Sequence, residues 1–336
     1  AALLARAVPG QPVRLTWTRA SEFRAAPLGT AMQTRVRAWA DATRITSLDV
    51  AVISPPHATR PGTAGAPYLR SGALLGRPHP YPVPPDLPMA RGGGAARNAV
   101  PLYDVPAHVT RKLVPDLPWR TSSLRGLGAH LNVYAIETAV EAALISRGLD
   151  PFVGRRNSLT DPRAIAVLDG LEEMSADLRK QTAEANGWGI GLARYKNTAA
   201  WAAVLAEVSL DDTVSVSRVL VCVDMGMAVS ADGARNQIEG GVVQALSWTL
   251  KEAVALDGPR IATAGWEDYP ILKFSEVPQI ETRLIARPDQ PPLGCAEAVA
   301  GPVAAAVGNA VQRLIGAPVA DLPLSREALI AAMSSG

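Results

Sequence analysis

Three short segments of the 336-residue chain each set one polar side chain among small residues where a loop runs into a helix. That arrangement presents free backbone N–H groups to an anionic ligand. The first segment is Leu124-Arg125-Gly126-Leu127-Gly128-Ala129-His130. Its glycines permit close backbone approach, and Arg125 carries a permanent charge able to orient a carboxylate, a carbonyl or the edge of a heterocycle. The same residues also suit a glycine-rich turn with a solvated arginine, and His130 reads as a hydrogen-bonded structural histidine. The second segment is Asn236-Gln237-Ile238-Glu239-Gly240-Gly241. Two glycines inside a helical pattern cost roughly 1 kcal/mol each relative to alanine, so a ligand or a neighbouring helix must need the close approach. The third runs from Pro291 to Pro302 and sets Glu297 within Gly294-Cys295-Ala296-Glu297-Ala298, just ahead of a stretch of apolar and small residues. A carboxylate desolvated there can act as a general base, worth on the order of 10²–10⁴ in rate. It equally suits a cap at a helix N-terminus. Cys295 is a second nucleophile type in this loop, but no paired base can be assigned to it.

Other chemistries are excluded by what the chain lacks. There is no GxSxG elbow, phosphate-binding loop or HExxH, and Gly187-Trp188-Gly189-Ile190-Gly191 lacks the third glycine and the acidic partner of a dinucleotide fingerprint. Cys222 and Cys295 are the two cysteines, far apart and without ligand spacing, which argues against a zinc site and a disulfide framework. With 33 basic against 31 acidic residues and no long like-charge run, no footprint for nucleic acid or anionic lipid is present. No apolar run reaches the roughly 20 residues a membrane-spanning helix needs. The opening Ala1-Ala-Leu-Leu-Ala-Arg-Ala-Val8 looks like a helix already under way, so a longer chain is expected and the compartment stays open. An Arg/Ala/Pro bias with only five lysines suits a GC-rich bacterial genome.

The elements that position these segments follow from periodicity. Pro12–Thr18, Met32–Trp39 and Ser47–Ile53 alternate or run apolar as strands of one sheet. The proline-rich stretch 55–106 forbids regular ladders and reads as a strap over a domain surface, with Gly92-Gly93-Gly94 inside it. A helix is predicted from Leu131 to Gly148, and a long one from the Asp161-Pro162 cap through Leu178. Ala199–Leu210 and Thr213–Val223 suit a hairpin about Asp211-Asp212. Ile238, Val242, Leu246, Leu250 and Val254 form a helical stripe, and a last helix runs from Gly301-Pro302 to Gly316. The change in composition near Arg155–Asp161 is the expected domain boundary, and length allows about two domains.

The three segments, in this order, resemble the molybdopterin-binding subunit of the xanthine dehydrogenase family of molybdenum hydroxylases. Arg125-Gly-Leu-Gly128 looks like that family's Arg-Gly-Phe-Gly loop, Gln237-Ile-Glu-Gly240 like its Gln-Val-Glu-Gly helix start, and Gly294-Cys-Ala-Glu297 like its Gly-x-Gly-Glu loop. Arg91-Gly-Gly-Gly94, Arg97-Asn98, Pro101-Leu-Tyr-Asp104, Ala193-Arg-Tyr-Lys-Asn-Thr198 and Tyr269–Pro278 look most like the large subunits of the isoquinoline 1-oxidoreductase branch.

The resemblance implies an α+β fold of two elongated α/β domains with mixed sheets. Residues 1–155 would be the remainder of a first molybdopterin-binding domain, residues 156–336 the second, and the N-terminal portion of the subunit would be missing. It implies molybdenum held by a pterin dithiolene, in bacteria usually as the cytosine dinucleotide, and 2Fe-2S clusters on a separate small subunit. Glu297 would be the base in transferring a water-derived oxygen to an N-heteroaromatic or aldehyde, and Arg125 would orient the substrate. Gly126, Leu127, Gly128, Gln237, Gly240, Gly241, Gly294, Cys295 and Ala296 would contact the cofactor. Two departures bear on this. Leu127 replaces an aromatic that stacks on planar substrates, which weakens a purine assignment. Ala296 replaces a glycine, and would be strained if that position needs positive φ. Ala296 therefore carries the alternative, a non-catalytic assembly or cofactor-insertion partner of the same fold. An unrelated α+β hydrolase using Cys295 is a third reading.

Overall fold

Residues 1–57, 86–114, 117, 119, 121–181 and 186–335 are described by the computed structural model. Two short helices, Ala2–Ala7 (α1) and Arg19–Ala25 (α2), open the chain. The predicted strand Pro12–Thr18 does not form. Its residues are mostly exposed and pair with no neighbour among the described residues, and Thr18 instead caps α2, its hydroxyl accepting from the Ser21 N–H at 3.2 Å. The first sheet is mixed. Gln33–Ala40 (β1) and Ile45–Ser54 (β2) pair antiparallel, and Ala107–Leu113 (β3) joins β2 in parallel. Most of the proline-rich strap, residues 58–85, lies outside the described residues.

Ala129–Ile145 (α3) covers this sheet. The short helix Pro151–Arg156 (α4) follows, capped by Asp150. The Asp161-Pro162 signal starts Pro162–Met174 (α5), with the Asp161 carboxylate accepting from the Arg163 N–H at 2.9 Å. The helix then breaks where the sequence predicts continuation. The buried Ser175 hydroxyl donates to the Glu172 carbonyl at 3.2 Å, competing with the helical ladder, and Ala176–Gln181 (α6) starts afresh.

The second sheet is also mixed and carries the site. Asn186–Arg194 (β4), Trp201–Leu210 (β5) and Val214–Asp224 (β6) form an antiparallel meander, with the predicted hairpin between the last two. Ala231–Leu250 (α7) follows, its first turn capped by the Ser230 hydroxyl. A small ladder, Leu256–Asp257 (β7) with Arg260–Ile261 (β8), precedes Gln279–Leu284 (β9), which adds parallel to β6. Ala300–Ile315 (α8) ends at Gly316 in the left-handed conformation, and Arg326–Ser335 (α9) closes the chain.

Strand β5 is apolar on both faces because both are covered. Ala202, Val204, Ala206 and Val208 face α8, packing with Val303, Ala306, Val307 and Ala310. Ala203 and Leu205 face α5, packing with Leu168 and Leu171. The Gly187/Gly189/Gly191 run, which fails as a dinucleotide motif, is a packing device in β4. A Cβ at Gly189 would lie 2.2 Å from the Ala310 nitrogen, and one at Gly191 would lie 2.3 Å from the Pro302 oxygen. Only hydrogen at these positions lets α8 rest on the strand backbone. Gly301 and Gly308 allow the matching approach of α3, through Val133 and Tyr134.

One buried ionic network ties these layers together. Arg155, fully buried, donates to Glu137 at 3.0 Å and to Glu141 at 2.7 Å on α3, and Glu141 also accepts from Arg313 of α8 at 2.6 Å. The Tyr103 hydroxyl donates to Glu137 at 2.5 Å, and the Leu192 N–H of β4 adds a bond at 3.2 Å.

Candidate active site

All three sequence segments meet at Arg125, in the loop that feeds α3. Its guanidinium donates to Gln244 Oε1 at 3.1 Å, to Gln237 Oε1 at 2.8 Å and to the Ala296 carbonyl. One planar fork therefore joins the first loop to α7 and to the loop before α8. A lysine could not hold the three acceptors in one plane. A second link joins the first and third segments directly: the Gly126 N–H donates to Glu297 Oε1 at 2.8 Å. Gly126 takes φ +85° and Leu127 φ +50°, so this turn aims its amide at the carboxylate through left-handed backbone, which Gly126 adopts freely and Leu127 at a cost.

The remaining predicted residues divide by what surrounds them. Gly128 and Gly241 answer to protein packing. A Cβ at Gly128 would lie 2.4 Å from the Ala95 oxygen, and one at Gly241 would lie 2.9 Å from Val299. Gly240 and Gly294 are exposed, and a Cβ on either would meet nothing within 4 Å. Gln237 is exposed on the same first half of α7. Cys295 is buried, its thiol 3.8 Å from the Ala234 carbonyl, and burial raises its pKa above the ordinary value. That disfavours the thiolate a Cys-dependent hydrolase would need. Ala296 is not among the residues with positive φ, so the strain expected of an alanine there does not arise. His130 stacks edge-on against Trp248 at 5.6 Å, and burial holds its pKa down to about 4.

Arg97-Asn98 and the 193–198 segment carry no chemical role that their sequence alone would assign, yet the structure ties them to each other. The buried Arg97 donates to the buried Tyr195 hydroxyl at 2.7 Å, and Glu297 stands close enough to that hydroxyl to help burial raise its pKa, against the opposing effect of Arg97. Asn132 of α3, fully buried, fixes the Arg97 segment by donating to the Ala95 and Arg97 carbonyls at 2.8 and 2.9 Å. The available signal was polar residues isolated among small ones, which does not by itself tell a packing role from a chemical one. A groove of about 1180 Å³ runs from Arg125 and Leu127 past His130 and Trp248 to Tyr269. Glu297 is not among the residues that line it.

The surroundings fit a bulky anionic organic cofactor. Gln237 offers an exposed amide, and Gly240 and Gly294 leave space where a side chain would project. Gly240 has no packing reason to be glycine inside a helix. Among the described residues no group of three or more His, Cys, Asp or Glu could hold a metal ion. Among them, too, no helix is long and apolar enough to cross a membrane.

Comparison with known proteins supports this fit. Residues 166–278 match the molybdopterin cofactor-binding domain. The chain is 34% identical to a nicotinate dehydrogenase component of Pseudomonas putida over 99% of its length, and 35% identical to the beta chain of isoquinoline 1-oxidoreductase of Brevundimonas diminuta over 70%. It spans only 28% and 30% of those two relatives' lengths. Among solved structures, quinoline 2-oxidoreductase from Pseudomonas putida 86 superposes with a TM-score of 0.78 at 15% identity, over 99% of this chain and 65% of that one. A Cu,Mo-CO dehydrogenase superposes with a TM-score of 0.73 at 11% identity, over 99% and 66%. The mixed sheets and the order of their helices are thus those of molybdenum-binding domains.

Proposed function

The chain belongs to the molybdopterin-binding subunits of the xanthine oxidase family, and on that premise we propose that it supplies the base and the orienting groups for oxidative hydroxylation of an N-heteroaromatic or aldehyde. The observation that carries the reading is the Gly126 N–H bond to Glu297, which brings the first and third segments to one point beside Arg125. A molybdenum pterin bound there, in the cytosine dinucleotide form, would supply the two-electron acceptor and the water-derived oxygen. Gln237 and the backbone at Gly240 and Gly294 would hold it, while Gly128 and Gly241 shape the wall behind by allowing close packing. Glu297 takes up the proton released as the carbon–oxygen bond forms. The Gly126 N–H fixes one carboxylate oxygen and leaves the other to work.

Arg125 acts here by posture. Its two terminal nitrogens are engaged by Gln237, Gln244 and Ala296, so it sets the spacing of the two walls and lends positive charge to a developing anion. An N-heteroaromatic is favoured because nicotinate and isoquinoline name two of the relatives, and Leu127 offers no ring for a purine to stack on. A small partner protein carrying 2Fe-2S clusters would accept the electrons, and the rest of the molybdopterin-binding subunit would complete the pocket. In the native complex containing this chain, Glu297→Gln is expected to keep its molybdenum and lose at least about 100-fold in turnover. Unchanged turnover in that variant rejects Glu297 as the base.

A further inference from the structure

The outermost strand of the first sheet has one side without a ladder. β1 pairs with β2 along one edge, and among the described residues no strand pairs with the other. An antiparallel strand sends about half of its backbone N–H and C=O groups to each side, so about half of those in its eight residues lack a ladder partner. Sheets commonly blunt such an edge with a proline, a bulge or a covering element. Gln33–Ala40 contains no proline, and its register shifts only at the last step, between Trp39 and Ala40, where the Arg147 guanidinium also donates to the Ala40 carbonyl at 2.9 Å. From Gln33 to Trp39 the edge is regular and unprotected.

Packing across the two strands shows that the cover stops short. Leu48, Val50 and Val52 of β2 are buried, whereas their cross-strand partners Ala38, Val36 and Thr34 of β1 are half-buried. Yet α3 lies more along β1 than along β2, so the helix stands over the rim of the sheet. The space this leaves is the far end of the groove that starts at Arg125. Residues from both pleat faces of β1 line it, Gln33 and Arg35 as well as Thr34 and Val36, so the strand borders the groove by its edge. Ala135, Ala139 and Ala142 line it from α3, and the Tyr134 hydroxyl, donating to the Val319 carbonyl at 2.7 Å, holds the opposite wall. A row of free backbone donors and acceptors at strand spacing recognises an extended polypeptide.

We propose that the free edge of β1 seats a further β-strand, contributed by the part of the molybdopterin-binding subunit outside this chain, and that this strand fills the groove beside α3. The inference rests on the chain being a portion of a longer subunit, as its 28% and 30% coverage of two relatives supports. The walls define the chemistry of the occupant. A strand added about 4.8 Å from β1 alternates its side chains between two faces. Those turned toward α3 meet alanines, so bulky apolar residues fit there. On the other face Arg35 is exposed, stands opposite Ala51 and forms no ion pair among the described residues, whereas Arg37 stands opposite Asp49. A carboxylate on the incoming strand beside Arg35 supplies the missing cross-strand partner.

Hydrogen exchange of the purified native complex, read by mass spectrometry, tests the pairing. Residues 33–40 are expected to take up deuterium as slowly as residues 45–54, with the outward amides of β1 slowed at least about 100-fold relative to a free edge. Fast exchange of about half of the β1 amides beside a protected β2 overturns the inference. A photo-cross-linking residue in place of Gln33 identifies the occupant. Capture of a segment from the rest of the same subunit, itself protected from exchange, supports the proposal. Capture of the iron–sulfur partner, of a second copy or of another part of this chain overturns it, as does capture of a segment that exchanges freely. Molybdenum measured on the same sample separates the premise. A molybdenum-loaded complex with a fast-exchanging edge loses only this inference, whereas a complex without molybdenum whose β1 is paired to the rest of the subunit keeps it and loses the proposed function.

Discussion

Replacing Gly189 with alanine forces the contact between β4 and α8 on which the site's geometry depends. The added Cβ would lie 2.2 Å from the Ala310 nitrogen, 2.3 Å from the Ala306 oxygen and 2.7 Å from the Asn309 carbonyl carbon. Ordinary contact needs about 3.5 Å, so the helix must retreat by about 1 Å. The obstacle is helix backbone, which cannot rotate aside as a side-chain tip can. Overpacking of this kind costs about 1–3 kcal/mol, and the rigid neighbour puts Gly189→Ala at the upper end. Because α8 begins three residues after Glu297, a shift of about 1 Å also misplaces the carboxylate, an error able to cost about 100-fold in rate. Gly240→Ala is the internal control. Its Cβ meets nothing within 4 Å, so the protein should gain up to about 1 kcal/mol from better helix propensity while its molybdenum content falls. Urea denaturation of both variants, with molybdenum analysis and turnover of the native complex, tests the pair. Parental stability and turnover in Gly189→Ala would refute the claim that α8 sits on the strand backbone.

Further outcomes follow from the buried charges. Arg155→Met strands Glu137 and Glu141, and should cost about 3 kcal/mol in chemical denaturation, the low end for a broken buried pair because Tyr103, Leu192 and Arg313 still serve the two carboxylates. Burial holds the His57 pKa down from 6.5 to about 4, so the unfolded chain takes up a proton the native state refuses. Stability is therefore intact above pH 6.5 and falls as the pH is lowered toward 4, by about 1.4 kcal/mol per unit for this group, a slope that His57→Gln should remove from unfolding free energies measured across that range. Alkylation of thiols near neutral pH should leave turnover unchanged, since Cys295 is buried with a raised pKa; rapid inactivation protected by substrate would contradict that.

What the sequence made legible was local. The Asp161-Pro162 cap, the Asp211-Asp212 hairpin and the glycine stop of α8 each depend on a few adjacent residues, and each formed where expected. Pairing partners far along the chain were not legible. Pro12–Thr18 has the alternation of a strand but no partner among the described residues, while β3 and β9 have weak patterns and are made by the parallel edges of β2 and β6. Glycine was ambiguous for the same reason. Gly240 and Gly241 are identical in sequence terms, yet one faces open space and the other Val299. Arg125 and Glu297 could be picked out because each stands among small neighbours ahead of a helix, whereas the second segment lies inside α7, which starts at Ala231, and not at the loop-to-helix junction expected for it. The pairing of Tyr195 with Arg97 could not be picked out, because it is a bond between residues 98 positions apart.

The central claim, that these loops surround a molybdenum pterin, is tested most directly by elemental analysis of the native complex containing this chain, with the released pterin nucleotide identified alongside. The account predicts close to one molybdenum per complex and a pterin dinucleotide of the cytosine form. An intact, fully assembled complex that contains neither molybdenum nor pterin would contradict it.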